Sequence, residues 1–446
     1  MEPSCYSEAQ QLAFNKYLEG KNVFITGPGG SGKSKLIKDI KLDGLKREKN
    51  VQVCALTGCA ALQLNIQAKT IHSWGGIGLA NGPIEQIVEK IMKSTFKKKN
   101  WKEIDVLIID EVSMMCEKIF ELLDIIAKKV RKNIKPFGGI QVIFSGDFYQ
   151  LPPVGNKEEP ETLRFCFESE LWFETFLKEN HVQLIQIFRQ KDPIYADILN
   201  QIREGRIKRS SCTILEKCIH KLQTKSQDLN IVPTKLYPTR NKVDIINHSE
   251  MSKLSSEEVE YKRKENYALP MTDRERQIRN KFTQDAIQME MNYIKSNLLC
   301  EETIRLKIGA QVMCVVNIEL PNGSMICNGS QGIITSMTEN KTPMVKFNDG
   351  TELLMNVHIW HSENIPGIGI TQIPLILAWA LTIHKSQGCT LEYAEIDIGN
   401  SIFECGQTYV ALSRVKSLEG LYLTSFEPNK IRILKKVRDF YEKIKK

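Results

Sequence analysis

The sequence predicts an α/β protein, with parallel sheets covered by helices on both faces and one β-rich interruption. Three observations lead there. First, Gly27-Pro28-Gly29-Gly30-Ser31-Gly32-Lys33-Ser34 stands between the apolar run Val23-Phe24-Ile25 and the apolar pair Leu36-Ile37. That is the order of strand, glycine-rich turn and helix N-terminus in which backbone N–H groups and a helix dipole meet phosphate. Second, apolar runs of strand length alternate with helical patterns through residues 21–186, as a parallel sheet buried on both faces requires. Third, between about residues 250 and 372 the pattern changes to short strands joined by tight turns, which marks a separate β element.

Each element follows from its own residues. After Val23-Phe24-Ile25, the runs Val51 to Leu56, Val106 to Ile109, Gln141 to Phe144 and Gln183 to Ile187 supply further strands of a first domain, placed at 1–186. Residues of about 75–100, with the run Lys97-Lys98-Lys99, lie between two of these strands and read either as a small wedge subdomain or as solvated surface. A second α/β pattern begins near Phe188, includes Lys235-Leu236-Tyr237-Pro238-Thr239-Arg240, and resumes at Ile376 to Ile383 and Ala394 to Ile398. It gives a second domain at 187–249 and 373–446. The insertion at 250–372 carries a charged helical stretch, Thr272 to Asn297, then strand candidates at Gln311 to Asn317, Gly332 to Met337, Met344 to Phe347 and Glu352 to Met355. Pro321-Asn322-Gly323, Glu339-Asn340-Lys341 and Asn348-Asp349-Gly350 punctuate them, a spacing that favours a small β-barrel. At the C-terminus, Ile433, Val437, Phe440, Tyr441 and Ile444 alternate with lysines. They predict an amphipathic helix that docks on the core rather than on a membrane.

A chain of 446 residues exceeds one compact core and suggests about three domains. Sixty-one Lys and Arg against 53 Asp and Glu leave a net charge of +8. This mild basic bias suits a polyanionic partner and equally suits an ordinary soluble protein. The start, Met1-Glu2-Pro3-Ser4-Cys5-Tyr6, lacks a signal pattern, and no stretch approaches about 18 consecutive apolar residues. A soluble intracellular protein is expected. The 12 cysteines form no CxxC pair and no Cys/His quartet, so reduced thiols are expected rather than zinc or a disulfide framework.

The chemistry lies in a few short segments. Lys33 would reach the outer phosphates of a nucleotide and Ser34 would ligate magnesium. Leu107-Ile108-Ile109-Asp110-Glu111 is an apolar strand ending in two carboxylates. Asp110 there suits magnesium held through water, and Glu111 suits polarisation of the attacking water. Gly146-Asp147-Phe148-Tyr149-Gln150-Leu151-Pro152-Pro153 follows another apolar strand. Gln150 could sense the γ-phosphate, with Leu151, Pro152 and Pro153 passing that signal to a nearby groove. Two arginines outside the first domain, Arg189 in Phe188-Arg189-Gln190 and Arg414 in Tyr409-Val410-Ala411-Leu412-Ser413-Arg414-Val415, could stabilise charge on the transferring phosphoryl group. Taken singly, each also fits a salt bridge. Trp74, His72 and Phe148 are candidates for stacking on a nucleic-acid strand; for Trp74 a core position is an equal alternative. Cys59 and Cys389 read as small apolar fillers.

The order of these motifs resembles the petite integration frequency (PIF) family of DNA helicases, in the five-prime to three-prime branch of helicase superfamily one. The matching residues include Ser7 to Gln10, Leu56-Thr57-Gly58-Cys59-Ala60-Ala61 and Thr70-Ile71-His72-Ser73-Trp74-Gly75-Gly76-Ile77-Gly78. Leu123-Asp124 through Arg131, followed by Pro136-Phe137-Gly138-Gly139-Ile140-Gln141, resembles the signature of that family. Farther on, Leu306 to Met313, Asn328-Gly329, Gln372 to Leu375 and Ala378 to Gly388 match as well. The resemblance runs from about residue 7 to 426.

It implies two RecA-like P-loop motor domains, an SH3-like barrel as the insertion, and ATP with Mg2+ as cofactors. Gln10 would recognise adenine. Gly27, Pro28, Gly29, Gly30, Ser31, Gly32, Lys33, Ser34 and Gly388 would hold the nucleotide, and Lys33, Asp110, Glu111, Gln150, Arg189 and Arg414 would carry hydrolysis. Ser34 and Asp110 would hold the metal. Thr57, His72, Ser73, Trp74, Pro152, His384, Lys385 and Ser386 would meet single-stranded DNA. Where the family usually shows Leu-Ser-x-Glu-Gln, this chain has Tyr6-Ser7-Glu8-Ala9-Gln10. Little sequence precedes Gln10 or follows Phe426, so the expectation is a minimal, monomeric motor core from a virus or compact genome. It would act on tailed, forked or structured DNA in replication, repair, recombination or telomere maintenance, in the nucleus, the cytoplasm or a viral replication site. Two readings stay open beside this one: a helicase directed to RNA or RNA:DNA hybrids, and a switch that hydrolyses ATP without unwinding.

Overall fold

The computed structural model describes residues 6–64, 66–78, 80–219, 221, 232–267, 271–298, 300–321, 325–326, 328–362, 365–383, 386 and 390–445. The chain divides into two compact units. The first holds Met1–Cys212, Phe403–Ser413 and Glu427–Lys446, and the second holds Thr213–Ile402 and Arg414–Phe426.

The first unit is built on six parallel strands, β1 (Val23–Thr26), β2 (Val51–Ala55), β3 (Lys69–Thr70), β4 (Val106–Asp110), β5 (Gln141–Gly146) and β6 (His181–Gln183), in the order β3-β2-β4-β5-β1-β6. β1, β4 and β5 are buried along their whole length, which is why each reads as an unbroken apolar run. Because β4 and β5 lie between β2 and β1, the loops leaving β1, β4 and β5 gather at one edge. In open α/β sheets that carboxyl edge is where ligands bind. Two helices frame it: α1 (Glu8–Leu18), with a Ser7/Gln10 capping box, and α2 (Lys33–Lys46), which starts directly after the glycine-rich loop.

On one side of the sheet, the helices Ile84–Lys93 and Thr95–Glu103 bury Ile87, Val88, Ile91 and Trp101 in the same core as helix Glu117–Arg131. Arg131 ties down the end of the second of these helices. Its Nη1 donates to the carbonyls of Trp101, Lys102 and Ile104 at 3.2, 3.1 and 3.0 Å, and its Nε donates to Gly138 at 3.0 Å. From Ile84 onward the segment of 75–100 is helix packed on that core, with part of its surface in solvent. The C-terminal helix (Lys435–Lys445) docks as expected, with Val437, Phe440 and Tyr441 inside the first unit's core.

The second unit has a parallel sheet of Ala380–Thr382, Thr234–Tyr237, Ala394–Ile398 and Leu421–Phe426. Its other main sheet is antiparallel: Glu352–Leu354, Pro343–Phe347, Gln331–Met337, Gln311–Cys314 and Leu375–Leu377. The four strands expected in the insertion are all present there. The charged stretch from Thr272 is two helices, Asp273–Arg279 and Gln284–Asn297, each with its own threonine N-cap.

Two expectations of strand placement need correction. The run Ile376 to Ile383 is two strands in two sheets, because Leu375–Leu377 pairs antiparallel with Gln311–Cys314 while Ala380–Thr382 pairs parallel with Thr234–Tyr237. The strand expected at Gln183 to Ile187 is His181–Gln183, and Ile185 is 77% exposed. The first compact unit holds residues up to Cys212 together with 403–413 and 427–446. Helix Pro193–Arg203 is anchored to it by the Arg203 to Asp147 ion pair and the C-terminal helix by its aromatic face. Among the described residues, no helix is long and apolar enough to cross a membrane.

Candidate nucleotide site

The loop after β1 is shaped by two glycines at positive φ. At Gly30 (φ +81°) a Cβ would lie 2.5 Å from the Arg189 Cβ, and at Gly32 (φ +86°) 2.4 Å from the Gln10 amide nitrogen. Larger residues there would be strained and would push the neighbouring side chains away. Gln10 arrives because it is the N3 residue of α1's capping box, its Oε1 accepting from the Ser7 N–H at 3.0 Å. Phe188 donates its N–H to the Gly30 carbonyl at 2.8 Å, which lays Arg189 along the loop. Tyr409, from the helix Gln407–Leu412, accepts the Gly29 N–H at 2.8 Å.

Lys33 folds back over its own loop. Its Nζ donates to the carbonyls of Gly27 and Pro28 at 2.7 and 2.9 Å. Burial pushes its ammonium below the usual lysine range, opposed by the charges of Asp147, Glu111 and Asp110. A cation held this way is suited to a polyanion that replaces the two carbonyls. Ser31 is 1% exposed and its Oγ has no hydrogen-bond partner among the described residues, a spare polar group inside the loop. The loop, its helix N-terminus and its half-buried cation fit a nucleotide polyphosphate.

Asp110 ends β4 and is 7% exposed. Burial raises its carboxyl above the ordinary range, with Ser145, the Glu111 backbone and Lys33 acting in the opposite direction. The next residue, Glu111, has φ 56° and ψ 38°, a left-handed conformation that costs a non-glycine residue about 1–3 kcal/mol. The turn Val112–Met114 and the close approach of Gly146 to the Val112 N–H hold it there. Ser34, in α2's first turn, and Asp110, at the end of β4, carry oxygen donors of the kind Mg2+ takes.

Gln150 is 6% exposed and closes a turn through its N–H to the Asp147 carbonyl at 2.8 Å. Arg189 is half-buried, and its Nη1 donates to the Ser413 carbonyl at 3.1 Å. The first unit thus brings together Gln10, the segment Gly27 to Ser34, Asp110, Glu111, Gln150 and Arg189. Arg414 is 3% exposed and belongs to the second unit. His384, Lys385 and Gly388 lie outside the described residues, as does Cys389.

The expected strand contacts divide. Thr57 caps the helix Gly58–Leu64, accepting the Ala60 N–H at 3.2 Å, and it is half-buried like His72, Ser73 and Pro152. Burial pushes the His72 imidazole below its usual pKa, so it is neutral at pH 7. Trp74, by contrast, is 5% exposed and packs on Trp101 with ring centroids 4.8 Å apart; of its two readings, the core position is the one observed. Phe148, at 1% exposure, sits in the same core. Ser386 is also buried, its hydroxyl donating to the Ile383 carbonyl at 2.8 Å, where it closes a turn instead of lining a groove.

Sequence reasoning missed what stands behind the site. Asp147 is bonded by Arg203 from 56 residues away, at 2.7 and 2.8 Å, and Tyr441 reaches Thr26, Asp147 and Phe148 from the C-terminal helix. The only sequence signal was the apolar stripe of that helix, which predicts docking without naming its partners.

A family model described as PIF1-like helicase matches residues 5–212, and another, DNA helicase Pif1, 2B domain, matches residues 291–337. ATP-dependent DNA helicase RRM3 of Saccharomyces cerevisiae is 32% identical over 503 residues, taking in 95% of this chain and 65% of RRM3. The chain spans 61 to 65% of the length of the first four curated relatives it matches. Pif1 helicase from Candida albicans has a similar structure, with a TM-score of 0.74 and 35% identity over 99% of this chain and 100% of that one. Pif1 helicase from Bacteroides, in complex with ADP-AlF3 and ssDNA, gives a TM-score of 0.65 and 29% identity over 99% and 98%. Motif order, fold and relatives agree, and the chain belongs to the PIF1-like helicase family.

Proposed function

We propose that this chain is an ATP-hydrolysing DNA helicase that moves five-prime to three-prime along single-stranded DNA and separates tailed, forked or structured duplexes. The observation that carries the reading is Lys33, a half-buried ammonium held by the phosphate loop's own carbonyls and facing the charges of Asp110, Glu111 and Asp147. The relatives' printed description as ATP-dependent DNA helicases, and the ssDNA bound by the Bacteroides protein, support the substrate class.

Each residue has a task in that reaction. Gln10 meets the adenine, and the N–H groups of the Gly27 to Ser34 segment hold the phosphates. Lys33 leaves its two carbonyls for the outer phosphates. Ser34 and Asp110 hold Mg2+, which when bound supplies positive charge against the polyphosphate. Glu111 orients and polarises the attacking water. Gln150 reads the presence of the terminal phosphate, and Arg189 and Arg414 stabilise charge as it leaves. Thr57, His72, Ser73 and Pro152 contact the strand, together with His384 and Lys385. The insertion at 250–372, as an SH3-like element between the two parts of a second RecA-like domain, closes over the strand. Such a motor serves replication, repair or recombination wherever its DNA lies, in the nucleus, the cytoplasm or a viral replication site.

The test is directional unwinding of duplexes carrying one single-stranded tail, in parallel with ATPase stimulation by single-stranded DNA and RNA of matched sequence. Unwinding should require a five-prime tail and ATP, and DNA should stimulate more than RNA. Unwinding from three-prime tails alone would overturn the polarity, and stimulation by RNA only would overturn the substrate.

A further inference from the structure

The nucleotide motifs end long before the C-terminal helix, yet one side chain of that helix reaches into the sheet beneath them. Tyr441 is 1% exposed. Its hydroxyl lies 2.6 Å from Thr26 Oγ1 and 3.2 Å from Asp147 Oδ1, and it accepts the Phe148 N–H at 3.1 Å. A hydroxyl has one proton to give. Asp147 can only accept, so that proton goes to the carboxylate and the Thr26 hydroxyl donates to Tyr441.

These three partners are not arbitrary. Thr26 is the last residue of β1, directly before Gly27 of the phosphate loop. Asp147 and Phe148 begin the turn that ends at Gln150, and the Gln150 N–H closes it on the Asp147 carbonyl at 2.8 Å. The ring is fixed as firmly as the hydroxyl, stacked on Tyr149 with centroids 4.5 Å apart and 8° between planes. Burial holds the Tyr441 phenol well above its usual pKa, so the donor is present at every working pH.

We propose that Tyr441 is a positioning residue for Gln150: its hydroxyl ties the strand that carries the phosphate loop to the turn that carries the γ-phosphate sensor. A helix outside every nucleotide motif thereby sets the distance over which hydrolysis is sensed. This inference rests on the ATPase reading above. It does not place Tyr441 against substrate; its effect passes through the turn.

The test is Tyr441→Phe, which keeps the stacked ring and removes only the hydroxyl. The kcat of DNA-stimulated ATP hydrolysis should fall by about tenfold, the scale of a lost buried hydrogen-bond network, while the KM for ATP stays near that of the parent and the melting midpoint falls by only about 2–12 °C, so that the chain is folded at the assay temperature. Thr26→Val cuts the same link from the strand side and should give a similar loss, not multiplied in the double variant. In a Gln150→Ala background, Tyr441→Phe should have little further effect. An unchanged kcat for both single variants would overturn the proposal, and so would an undiminished Tyr441→Phe effect in the Gln150→Ala background. If Gln150→Ala itself hydrolyses ATP normally, the sensor role assigned to Gln150 fails and the proposal fails with it. If the Lys33→Ala variant hydrolyses ATP normally, the ATP-site reading itself is at fault.

Discussion

Replacing Arg203 by Met removes the cation facing Asp147 and keeps a long apolar stem in the same slot. In the native fold the guanidinium Nε and Nη2 lie 2.7 and 2.8 Å from the two carboxylate oxygens, between side chains 4% and 0% exposed. The guanidinium also sits over the Tyr149 and Tyr441 rings, 4.6 and 5.5 Å from their centroids. Without it the carboxylate keeps only neutral hydrogen-bond donors, the Tyr441 hydroxyl and the Tyr149 N–H, and the charge of Lys33 acts on it without a direct ion pair. A buried charge left without its counter-ion costs about 3–5 kcal/mol, whereas losing an exposed pair costs about 0–1 kcal/mol. At about 2–4 °C per kcal/mol for a unit of this size, the melting midpoint of the first unit should fall by roughly 6–20 °C. Two compact units need not melt together, so hydrogen exchange of peptides covering β5 and the C-terminal helix reads the loss locally. Arg203→Lys should recover only part, because an ammonium cannot make the two parallel bonds. Adding Asp147→Asn to Arg203→Met should recover more, since no unpaired charge then remains buried. A loss below about 1 kcal/mol for Arg203→Met, the size of a surface pair, would refute the reasoning.

Three further outcomes follow from the site. Lys33→Ala should abolish ATP turnover while single-strand binding, measured by fluorescence anisotropy, persists; near-normal turnover would remove the phosphate-loop assignment. Glu111→Gln should keep ATP affinity and lose turnover by about a hundredfold or more, whereas lost affinity with unchanged turnover at saturation would contradict its role toward water. The third is acid sensitivity at His181, whose Nε2 accepts the Trp172 indole N–H at 3.0 Å while Nδ1 faces the carbonyls of Leu177 and Lys178 at 3.1 Å each. That arrangement needs the neutral ring, and burial lowers its pKa. The unfolded chain therefore binds more protons below the unfolded value of about 6.5, so stability should fall as pH drops through that value and level off below the folded one. His181→Gln should flatten this acid limb of a melting curve series; an unchanged limb would assign it to other groups.

How much of the fold was legible depended on how local its cause was. β1, β4 and β5 are unbroken apolar runs because both faces of their sheet are covered, and run length alone placed them within a residue or two. The insertion's strands were equally plain, since turns such as Asn348-Asp349-Gly350 punctuate a period of two. Where the cause was not local, reading failed. Ile376 to Ile383 looks like one strand, and nothing in its residues says that pairing passes from the antiparallel to the parallel sheet at Ala378 and Trp379. Gln183 to Ile187 looks like a buried strand, yet Ile185 points to solvent. Trp74 and Phe148 show the same limit from the other side, because an aromatic ring suits a stacking platform and a core equally well.

The candidate site divides along the same line. The phosphate loop, the Asp110-Glu111 pair and Gln150 were readable because phosphate and magnesium demand particular groups at short spacings along the chain. What holds those groups in register was unreadable, because it is made by pairs far apart: Asp147 with Arg203 across 56 residues, Phe148 with Tyr441 across 293, and Thr26 with Tyr441 across 415. Each partner taken alone is an ordinary arginine or tyrosine on a helix. The pairings exist because docking the helices Pro193–Arg203 and Lys435–Lys445 on the core brings a guanidinium and a hydroxyl to a carboxylate that must be satisfied once buried. Chemistry written in neighbouring residues can thus be read from sequence, whereas the rigidity that chemistry needs comes from packing and emerges only when the chain is folded.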